Sequence, residues 1–154
     1  MKIKEVVDAL ERFAPLPLQE SYDNAGLQIG LTDVEVSGAL LCLDVTEAVI
    51  DEAIGKGCNM IVSHHPLIFR RLLHITGQTY VERCVTKAIK NDIVIVAMHT
   101  NIDAAQGGVN HKIAEKMQLT DLAFIGEEKE VEGVSGGNGI IGTLKDPMTS
   151  EAFI

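Results

Sequence analysis

Three apolar runs alternate with helical repeats, and each run ends on side chains that can ligate or titrate. The first, Ser37-Gly38-Ala39-Leu40-Leu41-Cys42-Leu43, stops at Asp44. The second, Asn59 to Val62, leads into His64 and His65, and the third, Ile93 to Met98, stops at His99. Continuous apolar runs of this length suit strands covered on both faces, the pattern of a parallel sheet. Between them, Val49, Ile50, Ala53 and Ile54 repeat at helical spacing, as do Tyr80, Val81, Cys84, Val85, Ala88 and Ile89. The alternation predicts an α/β fold: a βαβ domain containing a parallel sheet with flanking helices, because right-handed crossovers make such strands parallel. Parallel strands open their carboxyl ends on one edge, where open α/β sheets bind ligands. Topology therefore gathers Asp44, His64, His65, His99 and Asp103 at one edge.

The flanking segments follow from local signals. Ile3, Val6, Val7, Leu10 and Phe13 mark one face of a helix that Pro15 and Pro17 stop. A loop, SYDNAGLQIG, follows it, and a third helix carries Val109, Ile113, Ala114 and Met117 after the third strand. Residues 1–120 read as one α/β metal-binding domain. Residues 121–138, with the run EEKEVEGVSGG, read as a charged, glycine-rich loop or linker. Gly139 to Leu144 suits a further strand, and Asp146-Pro147 a helix start. That helix has room for hardly two turns, so the chain reads as the front of a longer protein.

Charge excludes one function class. A formal net charge of -9, with Arg70-Arg71 the only adjacent basic pair, disfavours a nucleic-acid surface. The amphipathic N-terminus lacks an apolar leader pattern, and no run long enough to cross a membrane occurs, which predicts a cytoplasmic protein. Cys42, Cys58 and Cys84 are odd in number, lie in apolar patterns and lack CxxC spacing, as expected of reduced, buried thiols.

The chemistry concentrates in MIVSHHPLIF, residues 60–69. Two imidazoles between apolar runs need partners, because burying polar groups without them is costly. At a strand-to-loop turn before Pro66, both rings can face one cleft and bind a divalent ion such as zinc, iron or manganese. The competing explanation, two histidines bonded to backbone, is weaker for a pair joined by His99 and Asp103. Asp103, in HTNID, is expected to bridge two ions about 3.5–4 Å apart in preference to capping the next helix. His99 is expected to orient a ligand by hydrogen bonding. Thr46 or Asp44 can cap the helix that follows; for Asp44, directly before TEAVIDEA, capping is favoured over orienting a ligand or meeting substrate at the site. Asp23 and Asn24 are equally consistent with function and with turn formation. GNGIIG at residues 137–142 is rejected as a dinucleotide loop because no strand precedes it and no helix follows. Ser63 lacks a nucleophile elbow.

With these residues on the page, the chain resembles the YbgI-type, Nif-three-like family of dinuclear-metal proteins, the GTP cyclohydrolase type 2 homologues. The resemblance rests on LQESYDNAGLQIG, LDVTEAVIDEAIGKGCNMIVSHHPLIF and AMHTNIDAAQGGVN in order, with GIIGTLKDPMTSEAF near the end. It implies the Nif-three-like fold, two divalent ions held by His64, His65 and Asp103, and a toroidal hexamer of identical chains around an internal cavity. Family members complete the site with a His and a Glu four residues apart in a second half. His111 and Glu115 have that spacing, but their setting, GVNHKIAEKM, matches a different block, and they read as a surface pair.

Two function classes follow. One is a metal-dependent, cyclohydrolase-like hydrolase acting on a small nucleotide or phosphoester. The other is a non-enzymatic metal-binding or interaction protein. Metal-dependent turnover separates them.

Overall fold

In the computed structural model, which describes residues 1–153, alternating side chains of two central strands feed two separate cores. The strands β1 (Gly26–Ile29), β2 (Ala39–Cys42), β3 (Met60–Ser63) and β4 (Val94–Ala97) form one sheet in the order β1-β4-β3-β2. As predicted, β2, β3 and β4 are parallel, with Cys42, Ser63 and Ala97 level at their carboxyl ends. On one face Ile61 and Ile95 pack with Ile50, Ala53, Cys84, Val85 and Ala88 of the helices α2 (Glu47–Gly55) and α3 (Tyr80–Lys90). On the other, Met60, Val94 and Val96 pack with Ile3 and Val7 of α1 (Ile3–Phe13) and Leu18 of a short 3-10 turn, Leu16–Leu18. Each fully buried aliphatic side chain contributes about 1.5–3 kcal/mol, and the twofold alternation of a strand directs them to both cores. No described helix is long and apolar enough to cross a membrane.

The structure corrects the sequence reading in several places. Only β3 and β4 are covered on both faces. At the sheet edge, β2 turns Leu40 and Cys42 to a core and leaves Leu41 80% exposed, because the α1 layer lies over β3 and β4. The end of SYDNAGLQIG is not loop but β1, an antiparallel strand on β4.

Residues 121–138 are likewise not a plain linker. They complete β5 (Leu119–Phe124) and form the hairpin β6 (Lys129–Val131) to β7 (Val134–Gly136). Its turn, Glu132-Gly133, has positive φ at both residues, the twist that suits a two-residue hairpin. Charged side chains on exposed β6 hid the strand pattern. The expected strand after Gly139 is β8 (Ile140–Leu144), antiparallel to β5. The last helix, α6 (Ser150–Phe153), starts later than Asp146-Pro147, and the Thr149 hydroxyl accepts from the Ala152 N–H at its beginning.

Candidate metal centre

The double histidine is fixed by backbone hydrogen bonds that extend the strand pairing beyond β3. The N–H groups of His64 and His65 donate to the carbonyls of Cys42 and Leu43 at 3.1 and 2.9 Å. Buried Ser63 donates its hydroxyl to the His65 carbonyl at 2.9 Å and so holds the turn before Pro66. This is the structural work of Ser63. On the adjacent strand, the Met98 N–H donates to the Ser63 carbonyl at 2.8 Å and brings His99 level with the pair. The ring centroids of His64, His65 and His99 then lie 4.9, 5.3 and 5.6 Å apart. One ring nitrogen from each lies within 4.8 Å of the others.

The three rings are oriented in the same way. The Nδ1 atoms of His64, His65 and His99 lie 3.0 Å from the Met98 carbonyl, 2.8 Å from Asp44 Oδ1 and 2.8 Å from Asp23 Oδ1. Carbonyls and carboxylates bring no proton, so Nδ1 is the donor in each ring. The Nε2 lone pair of each neutral ring is left for a ligand.

Asp23 is the most enclosed of these acceptors, its side chain fully buried. Burial pushes its carboxyl upward. Hydrogen bonds from the Thr100 hydroxyl, His99 and the backbone N–H groups of Asn24 and Thr100 outweigh that, and hold it below the usual carboxylate range. Asp23 is therefore an ionised anchor for His99 and for the first residue of α4 (Thr100–Ala104).

Asp44 is a correction. The cap of α2 is Thr46, whose hydroxyl accepts from the Val49 N–H at 3.2 Å, while Asp44 orients His65. Thr46 stands directly before Glu47, so it meets the free N–H groups that Asp44 cannot reach. Asp103 sits on α4 with Oδ2 3.8 Å from His64 Nε2. It does not cap α5 (Val109–Lys116), where Gly108 holds the N-cap position. Asn24 donates to the Ile68 carbonyl at 2.6 Å and acts on the loop after the histidines rather than on an imidazole.

The structure also shows participants that the sequence reading missed. Thr100 binds Asp23 through both its N–H and its hydroxyl, a contact only the fold reveals. Gln28, in the same motif as Asp23, accepts from the Ile68 N–H at 3.1 Å and donates to the Asn24 carbonyl at 2.7 Å. His111 and Glu115 are not a surface pair. His111 packs edge-on against Phe124 with a centroid separation of 5.3 Å, whereas Glu115 accepts from Lys112 at 2.7 Å. A cleft of about 360 Å³ adjoins Asp103, lined by Glu20, Tyr22, Thr100, Asn110 and Asn138 among others.

This donor set fits a divalent ion. Three oriented imidazoles converge at one edge of the sheet with Asp103 beside His64, and each ring has the outer hydrogen bond that metal-binding histidines usually have. Such a cluster can bind metal, and its Nε2 atoms can also accept hydrogen bonds from a water or substrate.

The model of the Duf34/NIF3 (NGG1p interacting factor 3) family matches residues 1–154. A Staphylococcus aureus protein named GTP cyclohydrolase 1 type 2 homolog is 43% identical over 131 residues, covering 85% of this chain and 36% of the relative. A protein of that name from Clostridium acetobutylicum is 40% identical over 149 residues, covering 97% of this chain and 55% of the relative. The crystal structure of a Bacillus cereus protein related to NIF3 superposes with a TM-score of 0.76 at 42% identity, over 83% of this chain and 36% of that one. The chain thus spans about a third to just over half the length of these relatives.

Proposed function

Because this chain belongs to the Duf34/NIF3 family, we propose that it carries part of a dinuclear metal centre serving a cyclohydrolase-like hydrolase. The observation that carries the reading is the common orientation of three imidazoles, each with Nδ1 held by an acceptor and Nε2 left for a ligand. His64, His65 and Asp103 would hold two divalent ions of the zinc, iron or manganese kind. Ions held there supply a water acidic enough to attack at neutral pH and a Lewis acid for a substrate oxygen.

The chain's own residues do the rest. Met98 and Asp44 fix the tautomers of His64 and His65. Asp23 holds His99 so that its Nε2 is available to the same ions beside His64 and His65. The names of the curated relatives support the cyclohydrolase class, and hydrolysis of a nucleotide or phosphoester is the reaction we propose. The homo-oligomer implied by the resemblance, a toroidal hexamer, belongs to the same reading, supported by the exposed apolar edge at Leu41 and Leu43.

A second reading is a non-enzymatic metal-binding protein. Its support is the imidazole cluster, which is compatible with metal binding with or without turnover. The test is hydrolysis of GTP and of bis(p-nitrophenyl) phosphate with and without added zinc or manganese, beside His65→Ala. Metal-dependent turnover abolished by His65→Ala supports the hydrolase. Metal bound without turnover supports the second reading.

A further inference from the structure

Phe69 stands beside the imidazole cluster with its ring centroid 6.4 Å from that of His99 and the two planes at 90°. It is 45% exposed, so its ring lies at the open rim of the cluster. Leaving so much of an aromatic ring in water forgoes burial worth several times RT.

The backbone next to Phe69 is held by side chains of the segment before it in the sheet. The Ile68 carbonyl accepts from the Asn24 side chain at 2.6 Å, and the Ile68 N–H donates to the Gln28 side chain at 3.1 Å. Gln28 in turn donates to the Asn24 main-chain carbonyl at 2.7 Å, so one side chain ties Ile68 to the Asn24 backbone. Both backbone groups of Ile68 are thus bound by the segment whose Asp23 also anchors His99. One short segment, residues 23–28, therefore sets the spacing between His99 and Phe69.

We propose that Phe69 is a stacking platform, which gives the site a preference for ligands carrying a planar aromatic or heteroaromatic ring next to the metal-binding group. The proposal rests on the metal reading above and narrows its substrate class. A ring carried on a held backbone at a half-open rim offers its face for stacking at small cost in chain freedom on binding. The oriented imidazoles define where the metal-binding group sits, and Phe69 defines where the attached ring lies.

The test uses the full chain loaded with zinc, with metal content measured on the same samples, and compares two hydroxamates by calorimetry. Benzohydroxamate and acetohydroxamate share one chelating group and differ in the ring. The expected result is benzohydroxamate binding about tenfold tighter in the wild type and in Phe69→Tyr. In Phe69→Leu the ratio falls to within about twofold while acetohydroxamate binding stays unchanged. Far-UV circular dichroism of the exposed-site variants checks that they are folded. Equal affinities in the wild type, or an unchanged ratio in Phe69→Leu, overturn the proposal and leave the metal centre standing. Failure to hold zinc overturns the metal reading and the platform with it.

Discussion

Asp23 and His99, 76 residues apart in sequence, are joined by a 2.8 Å hydrogen bond between Oδ1 and Nδ1 that ties the loop before β1 to the end of β4. The bond sets the tautomer of His99, and the Thr100 hydroxyl and N–H hold the other carboxylate oxygen. The outer partner of an imidazole usually affects metal affinity as strongly as a weak ligand does.

Asp23→Asn therefore keeps the shape but replaces an acceptor-only carboxylate with a neutral amide that can donate as well as accept, so the His99 tautomer is no longer enforced. Zinc affinity is expected to fall by about 10–100-fold, measured by competition with a chromogenic chelator. His65 keeps its own partner, so the loss is partial and the far-UV circular dichroism spectrum is retained.

Asn101 supports the same corner from below. Fully buried, it donates to the Ala14 carbonyl at 2.7 Å and accepts from the His99 N–H at 2.9 Å. Asn101→Ala orphans both groups and is expected to cost about 3 kcal/mol, read as a lower urea midpoint with unchanged slope.

The glycines of AAQGGVN follow directly from geometry. A Cβ at Gly108 would stand 1.9 Å from the Ile102 carbonyl oxygen, a contact that only backbone movement relieves. Gly108→Ala is expected to destabilise by about 3 kcal/mol or more in the same urea assay, and to displace α4 with Asp103. Gly55→Ala, which meets nothing within 4 Å, is the control.

Glu82 gives a pH dependence. The Thr76 N–H and hydroxyl, with the Gln78 N–H and the Thr79 hydroxyl, hold its carboxyl down to about 2 from an ordinary value of 4.5. A folded-state value below the unfolded one contributes stability above pH 4.5 that is lost as pH falls toward 2. Between those limits the wild type is expected to lose stability more steeply than Glu82→Gln, which lacks the ionised partner. Parallel acid profiles for the two proteins would contradict this.

Much of the fold was legible because β3 and β4 are buried on both faces and so carry unbroken apolar runs, while α1 and α3 carry clean helical stripes. The hairpin β6–β7 was not, since exposed short strands such as Lys129–Val131 have no apolar face to reveal them. At the site, chemical type and strand-end position exposed His64, His65, His99 and Asp103. The work of Asp44 was hidden because a carboxylate before a helix looks like a cap whether or not it serves as one. That of Asp23, Thr100 and Gln28 was hidden because their partners lie on distant segments, reached only when β1 joins the sheet beside β4.

The central claim is that the three oriented imidazoles and Asp103 hold metal. The most direct measurement is metal content by plasma mass spectrometry on protein purified without chelator, beside His64→Ala and His65→Ala. The account predicts near-stoichiometric zinc, iron or manganese in the wild type and its loss in both variants. A folded wild type that holds no metal, even after incubation with each ion, would contradict it.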